Sequence, residues 1–212
     1  MEEKSALVTC HAERPLDDRA WARVVALLDA RPGGLPLVPL LRPPDREAGE
    51  DEERWLDRAR IAAARGPVGL HTHWTSPTHA RPTGGDPAAR VRDELQWFRA
   101  NGLEPALFCG GGWYTDDALR ALLREEGVVD CTATTFEPPV PQPHLVVEGP
   151  REGLLPATHS LGRLVRGVAG PLPSFVHAYF HDTDLLRPQR RIALVAALRI
   201  LGVRRKPYQL RP

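Results

Sequence analysis

Short apolar runs alternate with amphipathic ones along this chain, and that alternation constrains its fold more than any other feature. Residues 5–10, Ser-Ala-Leu-Val-Thr-Cys, read as a buried strand. Asp17 and Asp18 then precede Trp21–Leu28, which is apolar at 21, 24, 25 and 28, and acidic groups suit a helix N-terminus. Arg31-Pro32-Gly33-Gly34 stops that helix. Leu35–Leu41 is broken by Pro36 and Pro39 and allows only a short strand. Glu52–Arg65 carries Trp55, Leu56, Ala59 and Ala63 on one face, and a strand at 67–71 follows. Asp86 caps a helix that Pro87 opens and Asn101-Gly102 closes. Glu104–Cys109 is the next strand, and Thr115 caps the helix 116–126. Val128–Ala133 is a fifth strand, after which 134–152 hold five prolines and form a long excursion. Gly153–Ala157 is a weak strand and 161–173 a connection; Ser174–Phe180 is the last strand and Arg190–Leu201 the closing helix.

Strands alternating with helices of this length build a parallel sheet with right-handed crossovers. Seven strands in 212 residues suit one closed or nearly closed barrel spanning 1–212, with an open doubly wound sheet as the second arrangement. No apolar run reaches the roughly 20 residues of a membrane span. A net charge of +1 provides no field for nucleic acid or an anionic membrane. No apolar leader follows Met1-Glu2-Glu3-Lys4-Ser5, and Cys10, Cys109 and Cys131 are too scattered for a disulfide framework or a metal knuckle. A reducing, cytoplasmic setting is expected.

The histidines are distributed unevenly. Of eight, six fall at or just past the C-terminal end of an expected strand: His11, His71, His73, His79, His159 and His181. His71 and His73 are two apart, so on a strand they share a face. In parallel barrels the loops at the strands' C-terminal ends build the active site. With Glu13, the histidines form the set of imidazole and carboxylate ligands that a catalytic zinc-type site uses. His177 lies inside the last strand and reads as structural; His144 lies in the excursion. Cys109 sits at the rim and reads as an inert buried thiol.

Taken in order, these stretches resemble the polysaccharide deacetylase (NodB-homology) domain of carbohydrate esterase family 4. The resemblance rests on Val8-Thr9-Cys10-His11-Ala12-Glu13, Val68-Gly69-Leu70-His71-Thr72-His73, Leu107-Phe108-Cys109-Gly110-Gly111-Gly112-Trp113-Tyr114 and Tyr179-Phe180-His181-Asp182-Thr183-Asp184-Leu185, with Gly127–Cys131 between. It implies a distorted (β/α)7 barrel and a divalent metal, zinc, held by one acidic residue and two histidines. It also implies attack of metal-activated water on the carbonyl of an acetylated sugar, with a base and a histidine acid. Here His11 stands at the base position, Ala12 makes Glu13 the acidic ligand, and Thr75 stands where a second histidine is usual, so His73 or His79 takes that place. Cys109 replaces an arginine. The roles that follow are His11 as base and His181 as acid, Glu13, His71, His73 and His79 toward the metal, and Trp74, Gly111, Gly112, Trp113, Tyr114 and His159 toward an N-acetylated sugar. A second function is also in view: a non-catalytic barrel that binds a glycan or a protein partner.

Overall fold

The structure, a computed structural model, describes residues 4–76, 79–132 and 153–210. The excursion at 134–152, with His144, lies outside the described residues. Among the described residues, eight strands join one parallel sheet. From β1 (Ser5–Ala12) the row continues on one side through β2 (Leu37–Leu41), β3 (Val68–Thr72), β4 (Pro105–Gly110) and β5 (Val129–Asp130). On the other side lie β7 (Phe175–His181) and then β6 (His159–Ser160). β8 (Lys206–Pro207) pairs with the first residues of β1.

Read as a ring, that order is sequential, which rules out the doubly wound alternative, where the order reverses partway. The ring is drawn together by residues 153–160. Asp130 N–H donates to Gly153 O at 3.0 Å, Leu155 N–H donates to Asp130 O at 2.9 Å, and Thr158 N–H donates to His177 O at 3.0 Å. The segment therefore leaves β5 and joins β7. Pro156 has no N–H to give, and the regular ladder with β7 begins only at His159, two residues beyond the strand expected at Gly153–Ala157. The sheet is curled into a distorted (β/α)7 barrel.

Aspartates start four helices, each by accepting a backbone N–H. Asp17 opens α1 (Asp18–Ala30), Asp51 opens α2 (Glu52–Ala63), Asp86 opens α3 (Pro87–Ala100) and Asp116 opens α4 (Asp117–Glu125). The cap expected at Thr115 is thus one residue later, and Thr115 Oγ1 instead donates to Asp130 Oδ2 at 3.2 Å. The connection at 161–173 contains a further helix, α5 (Leu161–Gly167), capped by Ser160. α6 (Pro188–Arg204) is longer than its apolar pattern suggested. No helix among the described residues is long and apolar enough to cross a membrane.

Strand alternation divides the core in two. On β1, Ala6, Val8, Cys10 and Ala12 face the layer under the helices, together with Trp55, Phe98 and Phe108. Leu7 faces the barrel interior with Val38, Leu40, Leu107, Cys109, Cys131, Leu155 and Phe175. The same parity carries Thr9 and His11 inward. The interior is apolar at the N-terminal ends of the strands and becomes polar toward their C-terminal ends.

Candidate metal centre

Parallel register places the site residues. His11 on β1 is the direct neighbour of His181 on β7, and His71 on β3 is the neighbour of Cys109 on β4. Glu13 follows the end of β1 and His73 the end of β3, so both lie at the mouth of the barrel.

Glu13, His71 and His73 come together there. His71 Nε2 and His73 Nε2 are 3.2 Å apart, and Glu13 Oε1 lies 3.8 Å from the first and 3.6 Å from the second. Atoms bound tetrahedrally to zinc at about 2.0–2.1 Å sit about 3.3–3.4 Å from one another, so the spacing fits such an ion. The orientation of His71 is fixed from behind. Its Nδ1 is 2.8 Å from the Cys109 carbonyl, which can only accept; Nδ1 therefore donates, and Nε2 is the nitrogen turned to Glu13 and His73. Burial works against charge on His71, yet Cys109 and Glu13 push its pKa up to about 10. Burial also opposes ionisation of Glu13, but the two imidazoles more than offset it and hold the carboxyl well below its usual range. The group attracts positive charge, and a bound metal would displace a proton from it.

The Glu13–Arg14 peptide is gripped on both edges. Arg42 Nε donates to the Glu13 carbonyl at 2.8 Å, and Arg14 N–H donates to Asp182 Oδ2 at 2.7 Å. Arg42 is 4% and Asp182 1% exposed. Trp55 Nε1 in turn donates to the Arg42 carbonyl at 2.7 Å. Neither Arg42 nor Asp182 stands out in the sequence, because each acts on backbone 29 or 168 residues away.

His181 Nε2 lies 3.6 Å from Glu13 Oε1, and its side chain is 37% exposed. Burial and the neighbouring His11 lower its pKa to about 4, so the ring is neutral near pH 7 rather than the protonated acid expected from its place in the motif. His11 is 3% exposed. Its ring is surrounded by those of His71 at 4.6 Å, His181 at 5.0 Å, Trp113 at 5.4 Å and Tyr179 at 5.5 Å. Those rings separate it from the opening.

The other candidates are placed less centrally. His79 is exposed, its Nδ1 3.3 Å from Ser76 Oγ, and its ligand atoms fall outside both metal-type groups among the described residues. His159 Nδ1 is 2.9 Å from Thr158 Oγ1, and burial lowers its pKa to about 4. Trp74 is buried, edge-on to Tyr114 at 5.5 Å, and Tyr114 OH donates to Asp116 Oδ2 at 2.7 Å. The glycine turn serves the backbone: a Cβ on Gly111 would lie 2.6 Å from the Thr72 carbonyl. Gly112 at φ +59° and Trp113 at φ +60° follow, the second a strained conformation for a large side chain, and this presses the indole against His11 and Tyr179.

An open space lies beside His73. A cleft of about 610 Å³ is bounded by the loops after β2 and β3 and by α3, lined by Arg42, Arg46, His73, Thr75, Glu94 and Trp97 among others. None of Trp74, Gly111, Gly112, Trp113, Tyr114 or His159 lines it. The aromatic wall is Trp97, with the Arg46 guanidinium 5.4 Å over its ring.

No protein-family model and no curated protein matches the chain. Solved structures do. A carbohydrate esterase family 4 (CE4) pseudoenzyme from Bacillus anthracis superposes with a TM-score of 0.56 at 17% identity, over 95% of this chain and 62% of that one. A mutant of that protein with restored enzymatic activity matches with the same score and identity, over 64% of its length. A family 4 carbohydrate esterase from Streptomyces lividans, in complex with acetate, matches at 0.51 and 15% identity, over 96% of this chain and 88% of that one. The chain thus spans somewhat less than two thirds of the pseudoenzyme. The barrel has the fold of the CE4 esterases.

Proposed function

We propose that this barrel is a metal-dependent hydrolase that removes an acetyl or other acyl group from an amino sugar or a sugar polymer. The observation that carries this reading is the convergence of Glu13 Oε1, His71 Nε2 and His73 Nε2 at the mouth of a CE4-type barrel. Glu13, His71 and His73 would hold a divalent ion of the zinc class, which would polarise an acyl carbonyl and lower the pKa of a water near it. The chain's own groups do the rest. The half-exposed, neutral His181 takes the proton of the attacking water and returns it to the leaving nitrogen. That replaces a division of labour with His11 as base, because His11 is enclosed by four rings and does not meet the opening. His11 instead backs the rings of His71 and His181. The sugar occupies the cleft beside His73, against Trp97.

Acetate release from N-acetylated sugar oligomers by the zinc-loaded protein tests the reading. His71→Ala should lose both bound metal and turnover. His181→Ala should keep the metal and lose about 10²–10⁴-fold in rate. Absence of acetate release from a fully metal-loaded wild type would overturn the enzyme reading. The non-catalytic, glycan- or protein-binding barrel would then stand, and the likeness to a CE4 pseudoenzyme favours that second reading.

A further inference from the structure

Below the mouth, the barrel interior holds a second group of ligating atoms. His11, His71 and Cys109 offer one nitrogen or sulfur each, and these atoms all lie within 4.8 Å of one another. They project from β1, β3 and β4 into the same interior layer. All are enclosed, at 3%, 2% and 0% exposure. Cys131 packs in the same interior cluster, with its Sγ 3.0 Å from the Phe108 carbonyl.

His71 belongs to both groups. With Nδ1–H held by the Cys109 carbonyl, a metal in either group would have to take the Nε2 lone pair. One lone pair binds one cation, and the two positions therefore exclude each other.

Charge and softness separate them. Glu13 is a hard carboxylate with a side chain 31% exposed, suited to a divalent ion open to water. Cys109 is walled by Leu7, Val38, Leu40 and Leu107, where uncompensated charge is costly. One thiolate with two neutral imidazoles cancels a monovalent cation but leaves a divalent one in excess. Thiolate and imidazole together select soft ions.

We propose that His11, His71 and Cys109 form a buried three-coordinate site for a soft monovalent cation of the copper(I) class, whose occupation takes His71 from the mouth and releases the divalent metal. As the copper–sulfur bond forms, the Cys109 thiol gives its proton to solvent. The displacement rests on the proposed metal centre; the copper site itself needs neither Glu13 nor His73.

The test is an anaerobic copper(I) titration of the intact protein against a chromophoric copper(I) chelator. Wild type, Glu13→Gln and Cys131→Ser should each hold one tight equivalent, and Cys109→Ser should not. X-ray absorption at the copper edge of the wild type should show one sulfur and two nitrogens, a readout that holds even where Cys109→Ser folds poorly. Zinc-loaded wild type should release its zinc as copper(I) is added. Copper(I) binding by Cys109→Ser as tight as wild type, or a shell of two sulfurs, overturns the site. Zinc retained alongside copper overturns the exclusion. A wild type that takes copper(I) but never zinc upholds the copper site while removing the metal centre on which the hydrolase reading stands.

Discussion

What a histidine does in this barrel depends on what its second ring nitrogen touches. His71 has one nitrogen tied to a carbonyl and the other turned to Glu13 and His73, the arrangement of a metal ligand with a supporting acceptor behind it. His177, on the same interior face and fully buried, has none to spare. Its Nδ1–H donates to the Leu155 carbonyl at 2.9 Å, and its Nε2 accepts from Thr9 Oγ1 at 2.9 Å. Burial lowers its pKa to about 4, so the neutral ring is the form the fold requires. Its stabilising effect is complete above the ordinary histidine value of about 6.5 and is lost as pH falls toward 4. Asp130 runs the other way: burial raises it to about 6, and its contribution is lost as pH rises from about 4 to about 6. The raw acid-unfolding curve mixes the two. The difference in unfolding free energy between wild type and His177→Gln isolates the histidine, and it should shrink by roughly 3 kcal/mol between pH 7 and pH 4. A constant difference would mean that His177 protonates without cost. The sequence placed His177 as structural from its position within a strand. It could not choose between His73 and His79 as the second histidine, since the ring partners come from other strands and loops.

Between elements, the Glu13–Arg14 peptide is the junction that matters, gripped by Arg42 from the end of β2 and by Asp182 from just past β7. These loops flank β1, so the acidic ligand is set by three neighbouring strands together. Asp182→Ala removes the acceptor for Arg14 N–H and should weaken zinc binding by about 10–100-fold, whereas Asp182→Asn keeps a carbonyl there and should retain most of the affinity. Equal zinc affinity in wild type and Asp182→Ala, measured by chelator competition, would show that Glu13 needs no such support. At the opposite end of the barrel, α6 rests on the turn after α1, where a Cβ on Gly202 would lie 2.0 Å from the Gly33 carbonyl. Gly202→Ala should cost about 1–3 kcal/mol in stability and leave zinc affinity unchanged. The first four helices were legible because each begins at a capping aspartate and carries an apolar stripe, and α6, which has no side-chain cap, was legible from its apolar run alone. α5 was not: it has only seven residues, two of them glycine, and its pattern is too short to separate from a connection. The convergence of Glu13, His71 and His73 followed from their places at strand ends, but the grip of Arg42 and Asp182 left no trace in composition or spacing.

For the molecule as a whole, the division of labour follows the strand direction: apolar interior at one end, ionisable interior at the other. The alternation of seven strands with helices favoured a barrel and left an open doubly wound sheet as the second arrangement. Its closure by 153–160 was harder to read, since Pro156 interrupts the pairing and the residues before 153 carry no periodicity. A metal held by Glu13, His71 and His73 would tie the loop after β1 to β3 and its following loop, so the intact site would exist only in the folded chain. Zinc should then stabilise global folding by mass action. At a free concentration 100 times its dissociation constant, the gain is about 2.7 kcal/mol. For a chain of this size, each kcal/mol moves the melting midpoint by about 2–4 °C, so the expected rise is about 5–10 °C. The rise should vanish on chelation and be absent in His71→Ala, which removes the ligand shared by both groups. Glu13→Gln should shrink it without abolishing it, because His71 and His73 remain 3.2 Å apart as a two-nitrogen site. A wild-type midpoint indifferent to zinc, measured calorimetrically with and without chelator, would show that Glu13, His71 and His73 hold no ion in the folded protein.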